Sequence, residues 1–192
     1  MAFTNYDTKE INCKILYFGP TRSGKTTSLQ SIYSQTSDLD TGVIEFEQQL
    51  GKTPFFDFLP ISLGYVKDFH LKLHLFTLPV QSLYQTVVST ILKGVDGFVY
   101  VADSSVSAMN DNIKTLEISR TLMKEEGANL SEIPIVLQYN KRDLEDAVPI
   151  AILQKELNPG QAQFFETVAH QSRGTVETLQ GIGKQVIRKL SS

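Results

Sequence analysis

The residues Gly19-Pro20-Thr21-Arg22-Ser23-Gly24-Lys25-Thr26 have the spacing G-x-x-x-x-G-K-[ST]. That spacing suits polyphosphate chemistry. Glycines let a chain turn a row of backbone N–H groups inward around phosphate oxygens. A helix starting where the loop ends adds the positive end of its dipole. Lys25 supplies a point charge to the outer phosphates, and the Thr26 hydroxyl can ligate Mg2+. The expected phosphate-side contacts are therefore Gly19, Thr21, Arg22, Ser23, Gly24, Lys25, Thr26 and Thr27. A glycine-rich structural turn is the bland alternative for the loop. Arg22 reads equally well as a solvated loop residue.

A second group, Asn140-Lys141-Arg142-Asp143, has the form N-K-x-D. Guanine offers two adjacent donors, its ring N–H and its exocyclic amine. One carboxylate, Asp143, can accept both, and adenine has no such pair. Losing the two bonds would cost about 1.5–3 kcal/mol each. Asn140, Lys141 and Asp143 are the expected base-side residues. Alone, this tetrapeptide is a weak signal with a solvated turn as its alternative. Its place after a phosphate loop, at the end of an apolar strand, gives it weight. A third element is Val168-Ala169-His170, where a backbone N–H, assigned to Ala169, can meet the carbonyl oxygen of guanine.

These residues need a scaffold that brings loop ends together. Apolar runs alternate with longer amphipathic stretches, which indicates βα units and a mostly parallel sheet. Strands are expected at residues 11–18, 55–66, 69–77, 97–102, 133–139 and 164–168. The second and third form a hairpin turning near Lys67 and Asp68. Helices are expected at about 25–35, at 112–124 with Ile113, Leu116, Ile118, Leu122 and Met123 on one face, and at 174–190 with Val176, Leu179, Ile182, Val186 and Leu190 as its stripe. Residues 37–53 read as loop. The expectation is an α/β fold in one domain, residues 1–192. It has about six strands, one antiparallel edge strand, and about five helices covering both faces.

Composition narrows the class. Of 192 residues, 41% are hydrophobic and 20% charged, the balance of a folded globular chain. A net charge of −3 gives no electrostatic footprint for nucleic acid. No apolar run approaches a membrane span, and the start Met1-Ala2-Phe3 carries no secretory or lipidation signal. The single cysteine, Cys13, lies between Ile11 and Ile15 and reads as a buried strand thiol. The expectation is a cytoplasmic protein, a monomer by itself, without a direct membrane anchor.

Beyond the two motifs, the segments NYDTKEINCKILYFGP, KTPFFDFLPISLG, HLFTLPVQ, LKGVDGFVYVADS and LQYNKRDL make the chain resemble a Ras-like small GTPase of the bacterial gliding-motility group, the MglA type. The resemblance runs from about Phe3 to the final helix. It implies a G domain that binds GTP or GDP with Mg2+. It also implies a polarity and motility switch whose GTP form binds effectors at a cell pole. A roadblock-type, MglB-like activator and polarity response-regulator or TPR-type effectors are the implied partners. Thr53 then matches the Mg2+-binding threonine of the first switch, and Thr77-Leu78-Pro79-Val80-Gln81 the second. Most small GTPases carry Asp where Thr77 stands, and the MglA group carries Thr. Gln81 matches the glutamine that orients the attacking water.

Three departures from the family pattern bear on turnover. Val80 stands where the family has the glycine whose N–H meets the γ-phosphate, and a positive φ there would be strained. Thr21 stands where a phosphate-loop glycine is usual, aimed at the space Gln81 or an arginine needs. Lys52 stands where the MglA group carries an arginine finger, and lysine lacks the planar fork. Such a finger is worth about 10³–10⁵ in rate. Gln81 and Lys52 are the catalytic candidates, and slow intrinsic hydrolysis is the expectation.

Other residues have plainer readings. Phe55, Phe56 and Phe58 fit core packing or effector contact. His70, His74 and His170 lack a zinc-ligand spacing. Asp96 and Asp103 read as turn or cap residues, and Glu125-Glu126 as a solvated helix end. Two other functions compete. One is a pseudo-GTPase scaffold that holds nucleotide constitutively or does not depend on it. The other is a P-loop ATPase or nucleotide kinase, disfavoured by N-K-R-D and by the lack of a lid segment.

Overall fold

The computed structural model describes residues 3–36, 45–46, 57–66, 68–78, 91–127 and 132–190. The strands are β1 (Phe3–Asn5), β2 (Glu10–Phe18), β3 (Glu45–Phe46), β4 (Asp57–Val66), β5 (Phe69–Thr77), β6 (Gly97–Asp103), β7 (Ile135–Asn140) and β8 (Gln163–Glu166). The helices are α1 (Lys25–Thr36), α2 (Met109–Glu125), α3 (Ile150–Leu157) and α4 (Thr175–Leu190).

The sheet runs β3-β4-β5-β2-β6-β7-β8, with β1 paired to β2. Neighbours from β5 through β8 are parallel, as intervening helical crossovers require. The hairpin β4–β5 is antiparallel and closes at the pair Val66↔Phe69. Its register shifts between Ser62 and Tyr65, where Gly64 takes φ +86°. The six expected strands are all present. Two short ones, β1 and β3, join them as further antiparallel additions. β3 falls inside the stretch read as loop, because a two-residue strand carries no periodic signal.

Period-two alternation sends the core to both faces. Ile15, Tyr17, Val99, Val101, Leu73 and Leu75 meet Leu29 and Ile32 of α1 and Leu179, Ile182 and Val186 of α4. Leu16, Phe18, Phe98, Tyr100, Leu137 and Tyr139 meet Met123 of α2 and Leu153 and Leu157 of α3. Continuous apolar runs such as Gly97–Asp103 are thus covered on both sides, and all seven of its residues are buried. At Gly97 a β-carbon would come 2.8 Å from Ile15 and from Val186, so α4 approaches the sheet closely there.

Two helix stripes differ from expectation. In α2 Met123 is buried and Ile113, Leu116 and Leu122 pack partly buried against the core, but Ile118 is exposed, and Asn112, Thr115 and Ser119 are buried as well. Polar residues face inward there because Asn112 holds backbone groups of β6. Leu190, at the end of α4, is also exposed. Among the described residues, no helix is long and apolar enough to cross a membrane.

Candidate functional site

The glycine-rich loop leaves the end of β2 and enters α1, with the carboxyl ends of the parallel strands around it. Gly19 is sterically required: a β-carbon there would sit 2.1 Å from the Val101 carbonyl oxygen of β6. Gly24 is required twice, by φ +98° and by Asn140 Nδ2, which a β-carbon would meet at 2.1 Å. Arg22 takes φ +64°, the left-handed turn that folds the loop over, and its side chain is exposed. Thr21 is exposed beside it.

Lys25 closes the loop on itself. Its Nζ donates to the carbonyls of Gly19 at 2.9 Å and Pro20 at 2.8 Å. The ammonium is buried, and that desolvation lowers its pKa to about 8, against the opposing pull of Asp57. A group held this way gains from an incoming polyanion, which would stabilise the charged form.

Asp57 is a residue that sequence reasoning missed. It opens β4 and is 4% exposed. Its Oδ2 accepts the hydroxyls of Thr26 at 2.6 Å and Thr77 at 2.7 Å, while its backbone N–H donates to Thr77 Oγ1 at 2.9 Å. The antiparallel hairpin puts Asp57 across from Thr77. A carboxylate from β4 therefore stands beside the threonine that occupies the usual aspartate position on β5. Thr26 hydroxyl and Asp57 carboxylate are hard oxygen donors of the kind Mg2+ takes, so these residues fit the expected cation. The available signal was one acid inside Phe55-Phe56-Asp57-Phe58-Leu59, where nothing else is charged. Thr53, Lys52, Val80 and Gln81 lie outside the described residues, as do Phe55 and Phe56. Phe58 packs against His74 and Phe76.

The base-side group gathers at the end of β7. Asn140 is 3% exposed and spends its amide on the protein. Its Nδ2 donates to the Ser23 carbonyl at 2.8 Å. Its Oδ1 accepts Thr167 Oγ1 and the Ala169 N–H, both at 3.0 Å. The Ala169 N–H, expected to face a ligand carbonyl, is thus committed to Asn140. The physical reason is that a buried amide oxygen takes whatever donors lie nearest. Lys141 adopts φ +65° and its Nζ meets Asp103 Oδ2 at 2.6 Å. Asp103, expected as a turn or cap residue, holds a turn, accepting the Ser105 N–H at 2.9 Å, and it is also the partner of this lysine. Asn112 fixes it further, bonding both its backbone N–H and its carbonyl. Asp143 is exposed, with His170 Nε2 at 3.7 Å. The other histidines belong to a polar ladder on the sheet, His74 with Asn12 at 2.8 Å and His70 with Ser62. A cavity of about 800 Å3 lies at the opposite ends of β6 and β7, lined by Phe98, Leu116, Ile135 and Leu157, and contains none of these site residues.

Comparison with known proteins gives two matches. The profile of the ADP-ribosylation factor family matches residues 1–186. The chain is 44% identical, over 191 residues, to the mutual gliding-motility protein MglA of Myxococcus xanthus (strain DK1622), covering 99% of this chain and 98% of that protein.

Proposed function

Because the chain belongs to the ADP-ribosylation factor family of small GTPases, we propose that it binds GTP and GDP with Mg2+ and works as a switch in motility or polarity. The observation that carries this reading is Asn140. One side chain ties the phosphate loop, at Ser23, to the Ala169 N–H in the corner beside Asp143. Loop and base reader are thereby set at a fixed separation, as recognition of one nucleotide at both ends demands.

The chain's own residues divide the task. Backbone N–H groups of residues 21–26 and the Lys25 ammonium hold the phosphates. Thr26, Asp57 and Thr53 would hold Mg2+, which supplies charge neutralisation between the outer phosphates. Asp143 selects guanine, and Lys141, fixed by Asp103, flanks the base. The γ-phosphate orders the segments around Thr53 and Val80 into the arrangement that effectors prefer. Effectors of the response-regulator or TPR type at a cell pole and a roadblock-type activator complete the cycle.

Intrinsic hydrolysis is slow in this reading. Val80 would restrict the backbone where the family has glycine, Thr21 places a side chain where a phosphate-loop glycine is usual, and Lys52 replaces a planar finger. The test is to strip the protein, load it with Mg2+ and GTP, remove free nucleotide, and identify what remains by chromatography. Retained, surviving GTP is the expected result. Rapid conversion to GDP refutes the slow turnover, and equal competition by ATP refutes guanine selection.

One observation favours a second reading, a scaffold that does not depend on nucleotide. Thr26, Asp57 and Thr77 satisfy one another by hydrogen bonds alone. Partner binding that is identical in GDP-loaded, GTP-loaded and stripped protein would select the scaffold over the switch.

A further inference from the structure

Two side chains of β7, two residues apart and on one face of the strand, reach the phosphate loop from behind. Asn140 holds the Ser23 carbonyl. Gln138 Nε2 donates to Ser28 Oγ at 2.8 Å, and the Ser28 hydroxyl in turn donates to the Gly24 carbonyl at 2.8 Å. Gln138 and Ser28 are both 0% exposed. The direction of this relay is forced: Ser28 gives its one proton to a carbonyl, so it must accept from Gln138.

A trans peptide is planar, with its N–H pointing opposite to its carbonyl. Holding the Ser23 carbonyl toward β7 aims the Gly24 N–H the other way, into the mouth of the loop. Holding the Gly24 carbonyl does the same for the Lys25 N–H. The helical bond from Ser28 N to Gly24 O, at 2.8 Å, uses the same carbonyl, and the Ser28 hydroxyl fills its second lone pair.

Gln138 is an odd choice for a buried strand position. Its Oε1 is buried and finds no partner among the described residues. A buried unsatisfied acceptor is unfavourable, and an apolar side chain would fill the site without one. The bond to Ser28, and through it to the loop, is the polar contact this buried side chain makes among the described residues.

We propose that Gln138 is a positioning residue of the phosphate loop. It acts through Ser28 to hold the Gly24–Lys25 peptide with its N–H aimed at bound polyphosphate. The proposal rests on the nucleotide reading above.

The test uses the full chain loaded with N-methylanthraniloyl-GDP. Retention by the unsubstituted protein is measured first, and its complete absence overturns the nucleotide reading and this proposal with it. Release rates and melting temperatures are then compared for Gln138→Leu, Ser28→Ala and the double variant. The expected result is release about tenfold faster in each single variant, no further gain in the double, and a Gln138→Leu melting temperature no lower than the parent's. The Lys25 amide resonance of the GDP-bound protein, read by NMR, should move in both single variants. Unchanged release with an unmoved Lys25 resonance overturns the proposal. So does multiplication of the two effects in the double variant, since a relay has only one path to break. Faster release that merely tracks a lowered melting temperature also overturns it.

Discussion

Nucleotide affinity should fall as the pH rises through the range where Lys25 loses its proton. Burial of the Lys25 ammonium lowers its pKa to about 8, with Asp57 pulling the other way. A bound polyphosphate sits against that ammonium and raises its pKa again, to the ordinary lysine value near 10.4 or beyond. Binding in the window between the two values therefore takes up a proton. The sign follows from linkage: the empty site holds fewer protons than the filled one above about pH 8, so binding weakens with rising pH. For a site pKa of about 8 the loss between about pH 7 and about pH 9 is roughly tenfold, or about 1.4 kcal/mol. Below about pH 7 the lysine is already charged and the curve flattens. The assay is a fluorescence titration with N-methylanthraniloyl-GDP across this range. Guanine itself begins to ionise at the upper end, so the same titration in Lys25→Met separates the two contributions. That variant binds more weakly throughout and lacks the lysine-dependent slope. Equal slopes in parent and Lys25→Met, or a flat parent curve, would falsify the assignment of Lys25 as the buried phosphate ligand.

Asp57→Asn keeps the shape of the side chain and discards its charge. The difference in GDP release rate with and without a chelator should shrink by about ten- to a hundredfold, as expected for a group supporting a metal. A full Mg2+ response in the variant would remove Asp57 from the cation site. Asp143→Asn exchanges an acceptor pair for an amide and should weaken GDP binding by about a hundredfold. It should improve binding of the xanthine analogue, whose second carbonyl suits an amide donor, and calorimetry with both nucleotides decides this. Gly24→Ala forces a β-carbon onto Asn140 Nδ2 at a backbone angle that disfavours it. Displacing Asn140 orphans its partners at Ser23, Thr167 and Ala169, so a loss of about 3 kcal/mol or more in urea unfolding is expected. A loss under about 1 kcal/mol would show that the contact between loop and β7 is loose.

The local chemistry was legible because its signals are short in sequence. Gly19 to Thr26 is contiguous and joins the buried end of β2 directly to α1. The alternation of buried residues in β5 follows Leu71, Leu73 and Leu75 as the period of two requires. Asn140 to Asp143 is likewise one short run, at the end of a buried strand. At α2 the reading slipped because polar residues faced inward. Asn112 turned the stripe of α2 toward backbone groups of β6, and no hydrophobic period can anticipate that.

What only the tertiary structure decided is which distant side chains stand together. Asp57 meets Thr26 because β4 folds back antiparallel on β5, a register unreadable from either strand alone. Asp103 meets Lys141 because β6 and β7 lie parallel and in step, Asp103 opposite Asn140. Gln138 reaches Ser28 across 110 positions of sequence because β7 passes behind the helix that follows the loop. Residue type and spacing announce groups that act in sequence order, since the chain itself fixes their separation. Groups that act across the sheet are brought together by strand order and register, and those are properties of the packed whole.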